Sequence, residues 1–336
     1  MQRDHPALVA VATWRLPGLP TPRVHVSSAE VDSLRAFARG DRLSGLLADA
    51  VQQGGVRLPS DAVEAFDDVL DDWHSALRAC VVLESLAVRV AAHLDSLGAR
   101  WLLTKGSAVA HLDYPDPALR TFADIDLMVH PHHWADVSRH FFNDGGDAQA
   151  VFAERYGKGR TAVIDDMEVD LHRRFAVGAF GVRPDMRACF DTHDTIELAG
   201  RPLFVPSAEV RLLHACFHAV FGGASELRAV RDVAQIVAVH PQAVRGALRL
   251  AEEWRVEPVL AAAFQAASRR LELPPGYLPR LPHRRLTLAE RLTLRVFRRH
   301  GGFRPQALTT LGSLPIREMV PFARSLAALS KDLWSE

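Results

Sequence analysis

The sequence has little cysteine, no surplus of either charge and no long apolar run. Its three cysteines, Cys80, Cys189 and Cys216, are scattered and never fall within metal-ligand spacing of one another. This argues against a disulfide framework and against a structural zinc site. Lys plus Arg and Asp plus Glu both total 40 in 336 residues, so no global field attracts nucleic acid or an anionic membrane. No segment approaches the roughly 18 apolar residues of a membrane span.

The first residues also lack the features of a secretory signal. In MQRDHPALVAVATWRLPG, Asp4 and His5 precede a short apolar stretch, and Trp14 and Arg15 end it before an apolar signal core forms. Together with the scattered cysteines, this predicts a cytoplasmic protein. Hydrophobic residues at 48% and charged residues at 24% are typical of a globular chain with a buried core.

Hydrophobic periodicity divides the chain into three portions. Apolar residues recur at threes and fours from Ser28 to about Leu97, with Gly98 as the expected C-cap. Short β-like segments follow, and after Ser207 helical periodicity returns, with a proline-rich joint (271–285) before two last helices. We therefore predict an α+β protein with a mixed sheet: a helical N-terminal portion (1–97), a core (98–205) and a helical C-terminal portion (206–336).

The core is predicted to contain five strands and two helices. The strands are assigned to 99–104, 124–130, 148–156, 160–166 and 167–175. One helix is expected to begin near Ala108, and another spans 131–142 with Pro131 in its first turn.

The stretch RTFADIDLMVH places Asp124 and Asp126 two positions apart in an otherwise apolar strand. Residues two apart on a strand point to the same face, so the two carboxylates project together. Such charges repel when partly removed from water unless a cation lies between them, and Mg²⁺ prefers carboxylates together with phosphate oxygens. With 40 acidic residues in the chain, a D-x-D pair alone also arises by chance.

A third carboxylate strengthens the metal hypothesis. In MEVDLH, the residues Glu168, Asp170 and His172 share one face of a predicted strand. If this strand neighbours the D-x-D strand, Asp170 completes a site with three carboxylates. Three such ligands can hold two cations.

Upstream, Lys105, Gly106 and Ser107 lie between an apolar strand and the predicted helix. Glycine lets the backbone approach a ligand closely, and the N–H groups at a helix start attract phosphate. The alternative is an ordinary strand-to-helix turn in which Ser107 caps the helix.

The order of these motifs resembles a known superfamily. The chain contains K-G-S, then R-x-x-x-D-I-D after a YPDP turn, then V-D-L-H on a later strand. This order is similar to that of the DNA polymerase beta-like nucleotidyltransferases, and within them to that of a bacterial uncharacterised nucleotidyltransferase family. The resemblance covers about Trp101 to Val237 and includes LLHACFHAV and ELRAVRDVAQI. The interval from Ser107 to Asp124 is longer than in many members of the superfamily and is similar to that of this particular family. Residue roles known from polymerases or CCA-adding enzymes are therefore not transferred to this chain.

The resemblance implies transfer of a nucleoside monophosphate from an NTP bound to Mg²⁺, or alternatively Mn²⁺, to an acceptor hydroxyl, with release of pyrophosphate. It implies that Asp124 and Asp126 are the paired metal ligands and that Asp170 is the third, which helps to deprotonate the acceptor. It also implies that Gly106 and Ser107 form the phosphate-holding turn. Two alternatives stay open: a toxin-like enzyme that modifies tRNA, and a non-catalytic nucleotide-binding or interaction protein on the same fold.

Several other polar residues are candidates for the same cleft. Lys105 and Arg120 are expected to contact the triphosphate, and the alternative is that they are surface cations near an acidic cleft. The other candidates for the cleft are His172, His218, Arg228 and Asp232. His214 and His218 have the spacing of a zinc pair, but Ala215 stands where a metalloprotease has its glutamate, so we do not predict zinc. Arg228 and Asp232 have the spacing of an ordinary helical ion pair.

One segment carries a local basic field. Between Arg269 and Arg299 there are nine arginines against Glu272 and Glu290, which could receive RNA or another polyanion. Few aromatic residues are interleaved, so a solvated helix face is favoured and nucleic acid is not the favoured partner. The expected acceptor is a small molecule, a peptide or an RNA end, and no membrane partner is expected.

Overall fold

The computed structural model describes residues 6–59, 63–142, 152, 155–222, 226–281, 284–298, 303–312, 314 and 316–327. The first part is helical, as predicted. It contains α1 (Pro6–Thr13), β1 (Val24–His25), α2 (Ser28–Gly40), α3 (Ser44–Gln52), β2 (Val56–Arg57) and the 34-residue α4 (Val63–Ser96). The strands β1 and β2 pair in parallel.

Gly98 ends α4 as predicted. Its φ of 66° is left-handed, a conformation that glycine adopts without steric cost. The Ala99 N–H donates to the carbonyl of Leu94 at 3.0 Å, and the Gly98 N–H donates to that of Asp95 at 2.9 Å. These two bonds form a Schellman cap.

The centre of the chain forms a four-stranded sheet in the order β3–β4–β6–β5. Its strands are β3 (Trp101–Thr104), β4 (Ile125–Val129), β5 (Gly159–Ile164) and β6 (Met167–His172). The central strands β4 and β6 are parallel, whereas β3 and β5 run antiparallel to their neighbours. Four of the five predicted strands are therefore confirmed. Helix α5 (Lys105–Asp113) and a 3-10 turn (Pro117–Leu119) connect β3 to β4, and α6 (Trp134–Phe141) follows β4.

The predicted strand at 148–156 is wrong for the residues that are described, because Phe152, Arg155 and Tyr156 are helical; its other positions lie outside the described residues. Phe152 and Tyr156 are four positions apart, and their rings lie 5.5 and 4.7 Å from that of Phe322. Helical spacing puts both rings on one face, so this tertiary contact overrides the β-like pattern.

Two helix starts also differ from the prediction. Helix α5 begins at Lys105, so Lys105, Gly106 and Ser107 form its first turn and do not precede it. Helix α6 begins at Trp134, so Pro131 lies in the turn before it.

The rest of the chain is a hairpin followed by helices. After α7 (Gly178–Gly181) and a 3-10 turn (Ala188–Phe190), strands β7 (His193–Leu198) and β8 (Arg201–Pro206) pair across a tight turn. The helices that follow are α8 (Ala208–Phe221), α9 (Leu227–Val239), α10 (Ala243–Glu253), α11 (Glu257–Arg270), α12 (Leu288–Arg298), α13 (Phe303–Leu311) and α14 (Ile316–Ala327). Within the described part, three helices follow the proline-rich joint, so the prediction of two is wrong.

The two faces of the sheet pack against different cores. Ile125, Leu127 and Val129 of β4 pack with α4 and the β7–β8 hairpin. Met128, on the other face, belongs to a larger core that helices from both ends of the chain share. Asp126 has the parity of Met128, so the carboxylates face the junction between the sheet and the helices. Among the described residues, no helix is long and apolar enough to cross a membrane.

Candidate active site

The candidate site is built on a row of residues across the sheet. In register, Thr104 pairs with Asp126, Asp126 with Asp170, and Asp170 with Thr161. Neighbours in register point to the same face, so carboxylates from two adjacent strands lie side by side. One ligand atom from each of Asp126, Asp170 and His172 lies within 4.8 Å of the other two. The structure thus brings together three of the residues that the sequence singled out.

Asp126 is buried and remains ionised. Its side chain accepts a hydrogen bond from Lys105 Nζ at 2.5 Å and lies 2.6 Å from His172 Nε2, both at Oδ1. Burial raises the pKa of Asp126, but the Lys105 ammonium and the hydrogen bond from His172 outweigh it, so the pKa lies well below its ordinary value.

His172 is also buried, beside the same carboxylate. Burial and the Lys105 ammonium lower the pKa of His172, against the opposing effect of Asp126. Its Nδ1 is buried and has no hydrogen-bond partner among the residues that the structure covers. With Nε2 unprotonated, this imidazole and the two carboxylates form a donor set that fits a divalent cation. The carboxylates suit Mg²⁺ and Mn²⁺, and the nitrogen favours Mn²⁺ over Mg²⁺.

Lys105 joins the carboxylate row to the start of α5. Its φ of 50° is left-handed, which is costly for a residue other than glycine and is typical of functional sites. Thr104, the N-cap residue, does not cap α5 with its side chain, since its hydroxyl donates to the carbonyl of Asp126 at 3.2 Å. The N–H groups of the first turn therefore have no side-chain cap from Thr104.

Gly106 and Ser107 have packing partners within the protein. A Cβ on Gly106 would lie 2.6 Å from Phe122 Cβ, so glycine is required for α5 to approach the segment before Asp124. Ser107 is buried, and its hydroxyl donates to Glu84 at 3.0 Å. Their contact with phosphate stays a prediction, and it would use backbone N–H groups.

Asp124 lies just before β4 and is not among the three converging ligands. Its side chain is 31% exposed, and its Oδ1 lies 3.6 Å from Arg42 Nη1. Its role as a metal ligand stays a prediction.

Sequence reasoning missed two cations at the site, Arg42 and Lys158. Arg42 lies between α2 and α3 with its side chain 36% exposed, and nothing in the sequence marks it. Lys158 is 49% exposed, with Nζ 4.0 Å from Asp170 Oδ2. Burial and the Lys105 ammonium lower the pKa of Lys158, against the opposing effect of Asp170. The GKG turn before β5 was the signal that could have indicated Lys158.

Arg120, in contrast, is buried in an ion pair with Asp232 of α9. Its Nε and Nη2 donate to the two carboxylate oxygens at 3.0 and 2.8 Å, and the Tyr114 hydroxyl donates to the same carboxylate at 2.9 Å. Arg228 contacts Glu226 and lies 3.9 Å from Asp232. The helical ion pair of Arg228 with Asp232 is therefore present, but it is longer than the contact of either residue with its other partner. Arg120 thus positions the segment before Asp124, and its contact with triphosphate stays a prediction.

The remaining cleft candidates surround a small cavity beside Lys105. His218, Arg228 and Asp232 line about 20 Å³ together with His214, which is room for one water molecule. His214 Nε2, His218 Nε2 and Arg228 Nε are buried without a hydrogen-bond partner within the described ranges. Burial and Lys105 lower the pKa of His214, and burial and Arg228 lower the pKa of His218 to about 3.

The carboxylates of adjacent strands and the nearby strand-to-helix turn agree with the nucleotidyltransferase class that the motif resemblance implies. This chain belongs to the uncharacterised nucleotidyltransferase family, whose model matches residues 27–272, well over half of the chain. The family that the sequence motifs indicated is confirmed.

Other similarities are more limited. The chain is 32% identical over 125 residues to the serine/threonine-protein kinase PknK of Mycobacterium tuberculosis and of Mycobacterium bovis, which is 35% of this chain but only 11% of those proteins. It is similar to the structure of an antigenic nucleotidyltransferase-like protein from Paracoccidioides brasiliensis, with 19% identity, a TM-score of 0.31, and coverage of 55% of this chain and 92% of that one. The antibiotic-resistance factor ANT(2'')-Ia shows 17% identity and a TM-score of 0.31, over 58% and 95% of the two chains.

Proposed function

We propose that this chain transfers a nucleoside monophosphate from an NTP to an acceptor hydroxyl and releases pyrophosphate. The observation that carries this proposal is the convergence of Asp126 and Asp170, from adjacent parallel strands, with His172 beside the first turn of α5. Family membership supports the same class of reaction.

In this reaction the acceptor oxygen bonds to the α-phosphorus, the bond from that phosphorus to the pyrophosphate oxygen breaks, and the acceptor proton is released. Asp126, Asp170 and His172 would hold a divalent cation, with Asp124 as a further ligand. When bound, such a cation neutralises charge on the leaving pyrophosphate and lowers the pKa of the acceptor hydroxyl. Asp170, more exposed than Asp126, is the carboxylate best placed to receive the acceptor proton.

The triphosphate would lie against three cations and one helix end. Arg42, Lys105 and Lys158 each have a partly exposed side chain within 4.0 Å of a site carboxylate. The N–H groups of the first turn of α5, which Thr104 does not cap, would add a further contact to phosphate. Arg120 would act by positioning the D-x-D segment, since its guanidinium is fixed by Asp232.

The test is to incubate the full chain with each of the four α-labelled NTPs, Mg²⁺ or Mn²⁺, and a cell extract. We expect pyrophosphate release and one labelled class of product, and loss of both in Asp126→Asn and Asp170→Asn. Glu168→Gln, which changes an exposed carboxylate two positions from Asp170 on the same strand, is the matched control and should keep full activity.

The outcome also separates the alternatives. Label in tRNA would indicate the tRNA-modifying enzyme. NTP binding without turnover for every nucleotide and extract fraction would contradict the transfer reaction and favour the non-catalytic protein.

A further inference from the structure

The arginine-rich segment forms part of a groove away from the carboxylate row. Helix α11, described residues between 275 and 286, and α12 line a groove with a volume of about 720 Å³. This volume lies within the range of roughly 300–1,000 Å³ that is typical of small-molecule sites. Apolar side chains form much of the wall, among them Ala261, Leu278, Leu281, Leu286 and Leu294. None of the lining residues belongs to the carboxylate row or to the cavity beside Lys105.

The charge in this groove is predominantly positive. Of its four arginines, Arg284 is neutralised, because it donates to Glu290 at 2.7 and 2.8 Å and to Glu257 at 3.2 Å. The other three, Arg280, Arg291 and Arg295, are exposed and form no ion pair within the part of the chain that the structure describes. Guanidinium groups without a counter-charge at an apolar wall favour a carboxylate, sulfonate or phosphate ligand.

Glu257 is an acidic residue of the groove wall. Its Oε1 accepts from Arg284, but its Oε2 is buried and has no hydrogen-bond partner among the described residues. Buried polar atoms are normally satisfied. This oxygen has no exposed surface, so it does not contact a molecule in the groove. The role of Glu257 there is to hold Arg284.

The wall of the groove disfavours nucleic acid. Among the described lining residues, Phe264 is the one that is aromatic, and it is only 4% exposed. Proteins that bind single-stranded nucleic acid without sequence preference stack bases on exposed aromatic side chains. Leucine and alanine walls are suited to a compact apolar body.

We propose that this groove binds a small organic anion, with its apolar body against the leucines and its acidic group at Arg280, Arg291 and Arg295. The site goes beyond the transfer reaction. Binding there is measured without NTP, so the failure of one proposal does not decide the other.

The probe is the fluorescent anion 8-anilinonaphthalene-1-sulfonate, titrated with the full chain. In the double variant Arg291→Gln/Arg295→Gln we expect about tenfold weaker binding, which corresponds to the loss of two charge contacts. The matched control is Arg245→Gln/Arg249→Gln, which removes two exposed arginines with the same spacing from α10 and should bind like the wild type. The uncharged dye N-phenyl-1-naphthylamine should bind equally to all three proteins.

A second variant tests the apolar wall. Ala261→Trp would fill the groove and should abolish binding of both dyes, with far-UV circular dichroism confirming the fold. If this variant does not fold, the comparison of Arg291→Gln/Arg295→Gln with its control still tests the proposal, because both arginines are surface residues. Unchanged affinity in Arg291→Gln/Arg295→Gln would overturn the proposal, as would displacement of the dye by a ten-nucleotide RNA but not by octanoate.

Discussion

Asp126 shows how one residue couples the stability of this protein to the candidate chemistry. It is 2% exposed, and removing a carboxylate from water is costly unless it is paired. Lys105 and His172 provide that pairing. A divalent cation would compete with the Lys105 ammonium for the same oxygen. We therefore expect Lys105 to stabilise the buried carboxylate and to weaken the binding of a metal ion.

Replacing Lys105 with Met separates these two effects. Asp126 would then lie buried beside Asp170 without its ammonium, and we expect the free energy of unfolding without divalent cation to fall by about 3 kcal/mol. Addition of Mn²⁺ should raise the melting temperature more than in the wild type, because the competing charge is gone. Urea unfolding and thermal melting measure the two quantities. Lys158→Met, which removes a more exposed ammonium, is the control for stability, and an equal loss there would contradict the interpretation.

We expect His218 to make the stability of the protein depend on pH. Burial and Arg228 lower its pKa to about 3, and the charges around it are Arg228, Lys105, Asp126 and Asp232. The unfolded chain binds a proton below about pH 6.5 and the folded chain does not until about pH 3, so this contribution to stability is complete above pH 6.5 and is lost as the pH falls.

The expected slope for one such group approaches 1.4 kcal/mol per pH unit. Urea unfolding of His218→Gln between pH 7 and pH 5 should show a shallower slope than the wild type. His132→Gln, at an exposed position, is the control and should keep the wild-type slope. Parallel curves for all three proteins would show that His218 is not the group responsible.

At the level of elements, the long helix α4 fixes both segments that supply the site. Cys80 Sγ accepts from the N–H of Phe122 at 3.3 Å and donates to its carbonyl at 3.4 Å. Glu84, four positions later, accepts from Ser107 at 3.0 Å. One face of α4 therefore holds the segment before Asp124 and the first turn of α5 in fixed relation.

Removing the thiol should loosen this arrangement. Cys80→Ala leaves the buried Phe122 N–H without its partner, so we expect a loss of about 1–3 kcal/mol in the free energy of unfolding. The proposed transfer activity should fall as well, because the segment that carries Asp124 is less fixed. Cys80→Ser keeps a donor and acceptor and should recover most of both losses. Cys216→Ala, a buried cysteine elsewhere, controls for lost volume; an equal activity loss there would contradict a positioning role for Cys80.

Across the whole molecule, the sequence allowed prediction of those features that depend on a short local pattern of residues. Strand parity alone puts Asp170 and His172 on one face, and β6 shows this arrangement. Contacts between distant segments could not be predicted from such patterns. One example is Arg42, which lies between two N-terminal helices and contacts Asp124. Phe152 and Tyr156 are helical where they pack on Phe322. Such contacts depend on packing between distant segments, which no short window of sequence contains.

The Arg120–Asp232 pair joins the segment before β4 to the C-terminal helices. Both side chains are buried and the pair is bidentate, so removal of one partner leaves an uncompensated charge. We expect Arg120→Met and Asp232→Leu each to cost about 3–5 kcal/mol.

The double variant should cost clearly less than the sum of the two single changes, although Tyr114 loses its acceptor in Asp232→Leu, so some loss remains. Urea unfolding of the four proteins provides this double-mutant cycle. In addition, the proposed transfer activity should fall in both single variants, because the segment from Arg120 to Asp124 is held on α9 by this pair. Additive costs would mean that the two residues stabilise the protein independently, and full activity in Arg120→Met would exclude a positioning role for Arg120.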